Sequence, residues 1–308
     1  MGINSSSVSG SYFIRENLDG SLVDGVLRKT PFLNKFRELG RIRQNQGDST
    51  VKWNWIYADQ EAASAWTEGE TISTFGGTLT AQASKAPSYG KMPFSVSDQM
   101  LLRAENGGLT TSDIVGQEAG KATESLFKYF EDLFCGSSAG VGISSIIDST
   151  GNVLGINQAT YSQWASVETT VSASSFMAKI DSTYADLMSR NSDLSSLTIF
   201  CSPAVANIYA NVNSGSLRGF FGGPTTDYGK GELTYQGRPI VPCPGMSDTE
   251  MYFVDMSDAE IIVTLDPVIK EVPASNLNAN FAVVGAMAFI VHDRRRHAKL
   301  TNIDLRSS

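Results

Sequence analysis

Between Ser112 and Phe134 apolar residues recur every three or four positions: Val115, Ala119, Ala122, Leu126, Phe130 and Leu133. That spacing puts them on one stripe of an α-helix. Ser112 and Asp113 suit its start and Gly136 its stop. At roughly 1.5 Å per residue the helix is more than ~30 Å long. A stripe of that length has to lie across a broad partner surface. The strand-like segments elsewhere in the chain supply one, so the predicted class is α+β.

Ahead of this helix, Val51, Trp53, Trp55 and Tyr57 alternate with Lys52, Asn54 and Ile56, which is strand spacing rich in aromatics. A polar stretch follows, with Thr67-Glu68-Gly69-Glu70 and Phe75-Gly76-Gly77, then alternating runs from Thr78 to Ser84 and around Met92 to Val96. Together they predict a long two-stranded excursion with a flexible tip. An isolated hairpin is barely stable in water, so this one is expected to lean on a partner. Trp66, Glu68, Glu70, Phe75, Gly76 and Gly77 in the excursion, and Lys85 on its return, are the candidate contact residues. Residues 1–46 have scattered apolar positions and read as an arm, with a short helical turn at Thr30-Pro31-Phe32-Leu33 and Phe36 that needs a covering surface.

After the long helix, Phe176, Ile180, Tyr184 and Leu187 mark a second helix over about 174–188. Leu197 to Cys201 reads as a short buried strand, and Pro203 opens a third helix through Ala206, Ile208 and Tyr209. The Gly-rich stretch 213–231 reads as loop. Gln236-Gly237 is the predicted turn of a hairpin flanked by Leu233-Thr234-Tyr235 and Arg238-Pro239-Ile240-Val241. Strands are expected at Met251–Asp255, Ile261–Leu265 and Phe281–His292. No internal repeat is visible.

Chemistry is sparse. The 24 basic and 32 acidic residues leave a net charge of -8, which argues against a domain that grips nucleic acid through phosphates. Cys135, Cys201 and Cys243 are far apart and lack C-x-x-C spacing, so they read as reduced intracellular residues and not as a disulfide frame or zinc site. The N-terminus lacks the apolar core of a signal peptide, and no run is long enough to span a bilayer. Gly136-Ser137-Ser138-Ala139-Gly140 matches the G-x-S-x-G pattern of a serine-hydrolase elbow, but such an elbow is entered from a strand and this one from a helix. No catalytic residue, cofactor or metal ligand is assigned. Arg294, Arg295 and Arg296 form the densest positive patch. Inter-subunit salt bridging is favoured for it over a solvated strand end or nucleic-acid contact.

The order of these parts resembles the major capsid protein of tailed bacteriophages, the Hong Kong 97-type fold. Its elements are arm, two-stranded loop, long helix, Gly-rich turn, two helices around a small strand, hairpin and late strands. The Gly237-Arg238-Pro239-Ile240-Val241 segment is similar to that family's G-x-P-I/V-V hairpin, and Ser195 to Tyr209 to its strand-to-helix step. The resemblance implies an N-arm (1–46), an E-loop (47–98) and a P-domain segment with its spine helix (99–149). An A-domain (150–260) and P-domain return strands with the C-terminus (261–308) complete it. It further implies self-assembly into hexamers and pentamers of an icosahedral shell around double-stranded DNA held without sequence specificity. Expected partners are a portal, a separate scaffolding protein and a decoration protein, and the expected location is the virion after assembly in the host cytoplasm. Some members crosslink an E-loop Lys to a P-domain Asn; Lys85, Lys91, Asn276, Asn278 and Asn280 are of the right type without matching the motif. An encapsulin-type nanocompartment shell is the alternative with the same fold, and a hydrolase using Ser138 the enzymatic one.

Overall fold

The computed structural model describes residues 30–45, 50–56, 80–97, 99, 111–136, 140–171, 175–190, 194–217, 233–273 and 278–303. Helix α1 (Pro31–Glu38) precedes strands β1 (Ile42–Gln44), β2 (Val51–Ile56), β3 (Thr80–Lys85) and β4 (Ser88–Ser97). The long helix α2 (Thr111–Cys135) leads to the single turn α3 (Ile143–Ile146) and the small strands β5 (Asn152–Val153) and β6 (Ile156–Asn157). Then come β7 (Val167–Thr170), α4 (Phe176–Ser189), β8 (Leu197–Cys201) and α5 (Pro203–Leu217). The remainder is mostly strand: β9 (Thr234–Tyr235), β10 (Arg238–Pro242), β11 (Met251–Asp255), β12 (Ala259–Val272), β13 (Asn278–Val291) and β14 (Ala298–Thr301).

Two sheets organise these elements. The first has the order β1-β12-β13-β4, the second β7-β14-β11-β8-β10-β9. Helix α2 crosses one face of the first sheet. Its Leu126, Phe130 and Phe134 are all at most 1% exposed in a cluster with Val283, Met287 and Phe289 of β13. The opposite face of that sheet, at Ile262, Ala288 and Ile290, is covered by Val51 and Trp53 of β2. Because β12 and β13 are covered on both faces over residues 261–263 and 287–291, each reads there as a continuous apolar run.

The second sheet packs α4 and α5 on one face, through Ile180, Leu187, Val205 and Tyr209 against Leu197, Ile199, Met251 and Phe253. Phe200, Tyr252 and Val254 point the other way, into the cluster of the first sheet. Helix α1 closes the gap between the two. Phe32 lies 5.0 Å from Phe200 and 5.5 Å from Phe289, and Phe36 stacks on Phe200 at 6.4 Å. The covering surface that the short helix needed is therefore the seam between the sheets.

Three details differ from the sequence reading. The third helix continues to Leu217, into the stretch read as loop. Strand β12 starts at Ala259 and runs to Val272. Strand β4, read as part of the excursion, pairs with β13 from Ser97↔Asn278 to Ser88↔Met287, so it belongs to the first sheet. The predicted hairpin turn is present, with Gln236 at φ 47° and Gly237 at φ 78°. Both central residues in the left-handed region is what a two-residue type I′ turn requires.

Candidate functional site

Strands β2 and β3 form the base of the excursion, paired from Val51↔Lys85 to Ile56↔Thr80. Alternation turns Trp53 and Trp55 inward and leaves Lys52, Asn54 and Ile56 exposed. The Trp55 ring is 4.7 Å from Trp164 and 90° to Tyr161 at 6.4 Å, with the Arg295 guanidinium 5.4 Å from its centroid. Trp53 Nε1 donates to the His292 carbonyl at 3.2 Å, and the two rings meet edge to face at 5.5 Å. The Ser84 amide donates to the Leu154 carbonyl at 2.8 Å. The base is thus clamped from both strands. Ile56, at its outer end, is 60% exposed. Trp66, Glu68, Glu70, Phe75, Gly76 and Gly77 lie outside the described residues.

Lys85 ends the β3 ladder. It is only 7% exposed, and its Nζ donates to the Gly140 carbonyl. Burial pulls its pKa down to about 8. Its ammonium is therefore engaged within the subunit, just beyond the end of α2.

The three arginines do not form one patch, and Arg294, expected to bridge subunits, is turned into its own subunit. Residues 294–296 make a 3-10 turn. At three residues per turn, consecutive side chains point roughly 120° apart. Arg294 goes inward and is 0% exposed. Its Nε donates to the Ile146 carbonyl at 2.6 Å, its Nη2 to the Asp148 carbonyl, and its guanidinium lies 5.7 Å from the Trp164 centroid. Burial lowers its pKa to about 10, which leaves it charged at neutral pH. Arg295 and Arg296 keep 38% of their side chains exposed. Arg295 pairs with Asp293 at 2.8 Å, and Arg296 reaches Asp255 at 3.8 Å and Asp293 at 3.9 Å.

Carboxylates and both histidines flank this turn. Buried Glu260 takes His292 Nε2 at 2.7 Å and Arg43 Nε at 3.1 Å; the His292 hydrogen bond, more than the nearby charges, holds its carboxyl below the usual range. The buried His297 accepts the Asp255 amide on Nδ1 at 3.2 Å. Its proton therefore sits on Nε2, facing Asp258 Oδ2 at 3.2 Å. Both rings are held by neighbours and read as structural. Glu260, Asp255 and Trp164 were not singled out from sequence, since nothing in their local spacing sets them apart.

Helix α2 runs straight into Gly136, so the Gly-x-Ser-x-Gly segment is entered from a helix and not from the strand a hydrolase elbow requires. Ser138 itself lies outside the described residues. A groove of about 310 Å³ between α1 and β10 has Asn34, Lys35 and Glu38 among prolines and aliphatic residues. Lys35 and Glu38 already pair there at 3.3 Å. Among the described residues no helix is long and apolar enough to cross a membrane.

No family model and no curated protein sequence matches the chain. Solved structures do. The cyanophage A-1(L) capsid protein superposes with a TM-score of 0.66 at 16% identity, over 87% of this chain and 92% of that one. The capsid protein of the native GTA particle gives 0.62 at 12% identity, over 99% and 95%. The holo-SrpI encapsulin of Synechococcus elongatus PCC 7942 gives 0.57 at 11% identity, over 88% of both chains. The chain has the Hong Kong 97-type capsid fold, mixed helix and strand, as the order of its parts implied.

Proposed function

We propose that this chain is the major capsid protein of a tailed bacteriophage, closing into hexamers and pentamers of an icosahedral head around double-stranded DNA. The observation that carries the reading is the fold shared with the cyanophage capsid protein along nearly the full length of both chains. Two physical features agree with it. The β2–β3 base is clamped by two tryptophans to its own subunit while Ile56 at its outer end stays exposed, an arrangement suited to presenting a loop to a neighbour. The net charge of -8 suits a container that must not adhere to what it packages. The role is structural and without catalysis. Its partners are copies of itself, a portal, a separate scaffolding protein and a decoration protein, and it is assembled in the host cytoplasm.

Expression of the full chain, alone and with the product of a neighbouring scaffolding gene, tests this by negative-stain microscopy and light scattering. Shells, tubes or capsomers are expected. A compact monomer at high concentration overturns the reading, and labelling by a fluorophosphonate probe would favour a Ser138 hydrolase. The likeness to the encapsulin supports a second reading, a protein nanocompartment. Purified particles that carry a single co-purifying enzyme and no DNA would favour it.

A further inference from the structure

Near the C-terminal end of α2, Glu131 and Cys135 stand four residues apart and so share a helix face. Cys243, just past β10, reaches the same spot from the second sheet. One carboxylate oxygen and two sulfurs, one atom from each residue, lie within 4.8 Å of one another, and all three residues are buried. Glu131 also accepts the amides of Phe32 at 2.8 Å and Leu33 at 2.9 Å, the first turn of α1.

We propose that Glu131, Cys135 and Cys243 form a binding site for a thiophilic divalent cation of the zinc type. Two sulfurs and a carboxylate are a borderline-soft donor set, which suits zinc and not calcium or magnesium, whose sites are built from oxygen. With metal–sulfur bonds of roughly 2.3 Å, ligand atoms of a tetrahedral site lie about 3.3–3.8 Å apart, so the cluster needs to contract by only about 1 Å. Each Glu131 oxygen keeps a free lone pair beside its amide bond, so the carboxylate can bind through one oxygen or both. Binding replaces the two thiol protons, which leave to solvent, and the thiolates become ligands.

A bound cation would tie together α2, the start of α1 and the loop after β10, three segments distant in sequence. The proposal is independent of the shell reading.

Cobalt(II) titrated into the reduced full-length chain tests it. The expected result is one equivalent bound, with sulfur-to-metal charge transfer and the visible bands of a tetrahedral site, about two protons released per ion, and a higher melting temperature that chelator reverses. Cys243→Ser should lose the charge-transfer band and weaken binding by more than the ~10–100-fold typical of losing a mere outer-shell partner. Cys201→Ser, which alters the buried thiol outside the cluster, should keep the band. No band in the wild-type protein at equimolar cobalt overturns the proposal, and this holds even if Cys243→Ser fails to fold. So does a band that survives Cys243→Ser, or a Cys135–Cys243 disulfide in protein purified without reductant.

Discussion

Gly90 and Gly285 face each other across the β4–β13 ladder, and both lie under the side chain of Leu126. A Cβ on Gly90 would stand 2.6 Å from Leu126 Cδ1 and 3.0 Å from Phe130 Cζ; on Gly285 it would meet Leu126 Cδ2 at 3.4 Å. The paired glycines are the notch that lets α2 sit down on the sheet. Gly90→Ala must therefore displace the Leu126 side chain, by rotation or by a shift of the helix, and should cost about 1–3 kcal/mol, as overpacking does. Gly285→Ala, at ordinary contact distance, should cost less. Leu126→Ala should cost ~2–5 kcal/mol through the cavity it leaves. Lys128→Ala, on the exposed side of the same turn, should stay within ~0.5 kcal/mol. Urea midpoints of unassembled subunits check the ranking, and equal effects at 126 and 128 would refute it.

Lys85 links stability to pH. Burial sets its folded pKa at about 8, below the unfolded 10.5, so the folded state holds the proton more weakly. The penalty is fully present below pH 8 and relieved as pH rises from there through 10.5. Allowing for solvent that still reaches the ammonium, it amounts to about 2 kcal/mol. Relative to Lys85→Met, the native protein should gain roughly that much between pH 7.5 and pH 10. Chemical denaturation at both pH values measures it, and parallel pH profiles of the two proteins would sink the assignment.

Substitution should cost more at Arg294 than at Arg296. Arg294→Lys removes the fork that bonds the Ile146 and Asp148 carbonyls from a fully buried position. It should cost roughly 1.5–3 kcal/mol, the range for hydrogen bonds to charged groups. Arg296→Ala breaks only long contacts at a partly exposed side chain and should cost about 1 kcal/mol or less. Thermal melts of the two variants decide it; a larger loss at 296 would contradict the burial pattern.

The α2 stripe was legible because a helix buried on one face writes its period into the sequence, and Leu126 and Phe130 fall where that period puts them. The Gln236-Gly237 turn was legible because few residue pairs tolerate two left-handed conformations in succession. Strand β4 was not. Its alternation would look the same whether it paired with a hairpin neighbour or with β13 almost two hundred residues away, since period reports a strand and not its partner. Three consecutive arginines likewise read as one positive patch suited to inter-subunit salt bridges. Only the 3-10 turn, which sends Arg294 one way and its neighbours the others, buries one of them. The Glu131, Cys135 and Cys243 cluster was invisible for a related reason: the half from Cys243 arrives through the packing of the second sheet against α2.

Shortening the excursion should separate what it does for its own subunit from what it does for another. The contacts that clamp its base come from Trp53, Trp55 and Ser84, all within the β2–β3 ladder. Replacing residues 57–79 by Asn-Gly would join Ile56 to Thr80 through a two-residue turn whose twist suits an antiparallel pair. All pairs of the ladder are retained, so the subunit should stay folded, with a stability change within about 1 kcal/mol. Shell formation should be lost, because the segment removed carries Trp66, Glu68, Glu70 and Phe75, the residues expected to reach a neighbour. Circular dichroism and urea titration report on the first half, and negative-stain microscopy on the second. A folded variant that still closes into shells would show that the excursion is dispensable for assembly. An unfolded one would place the removed segment in the subunit's own core.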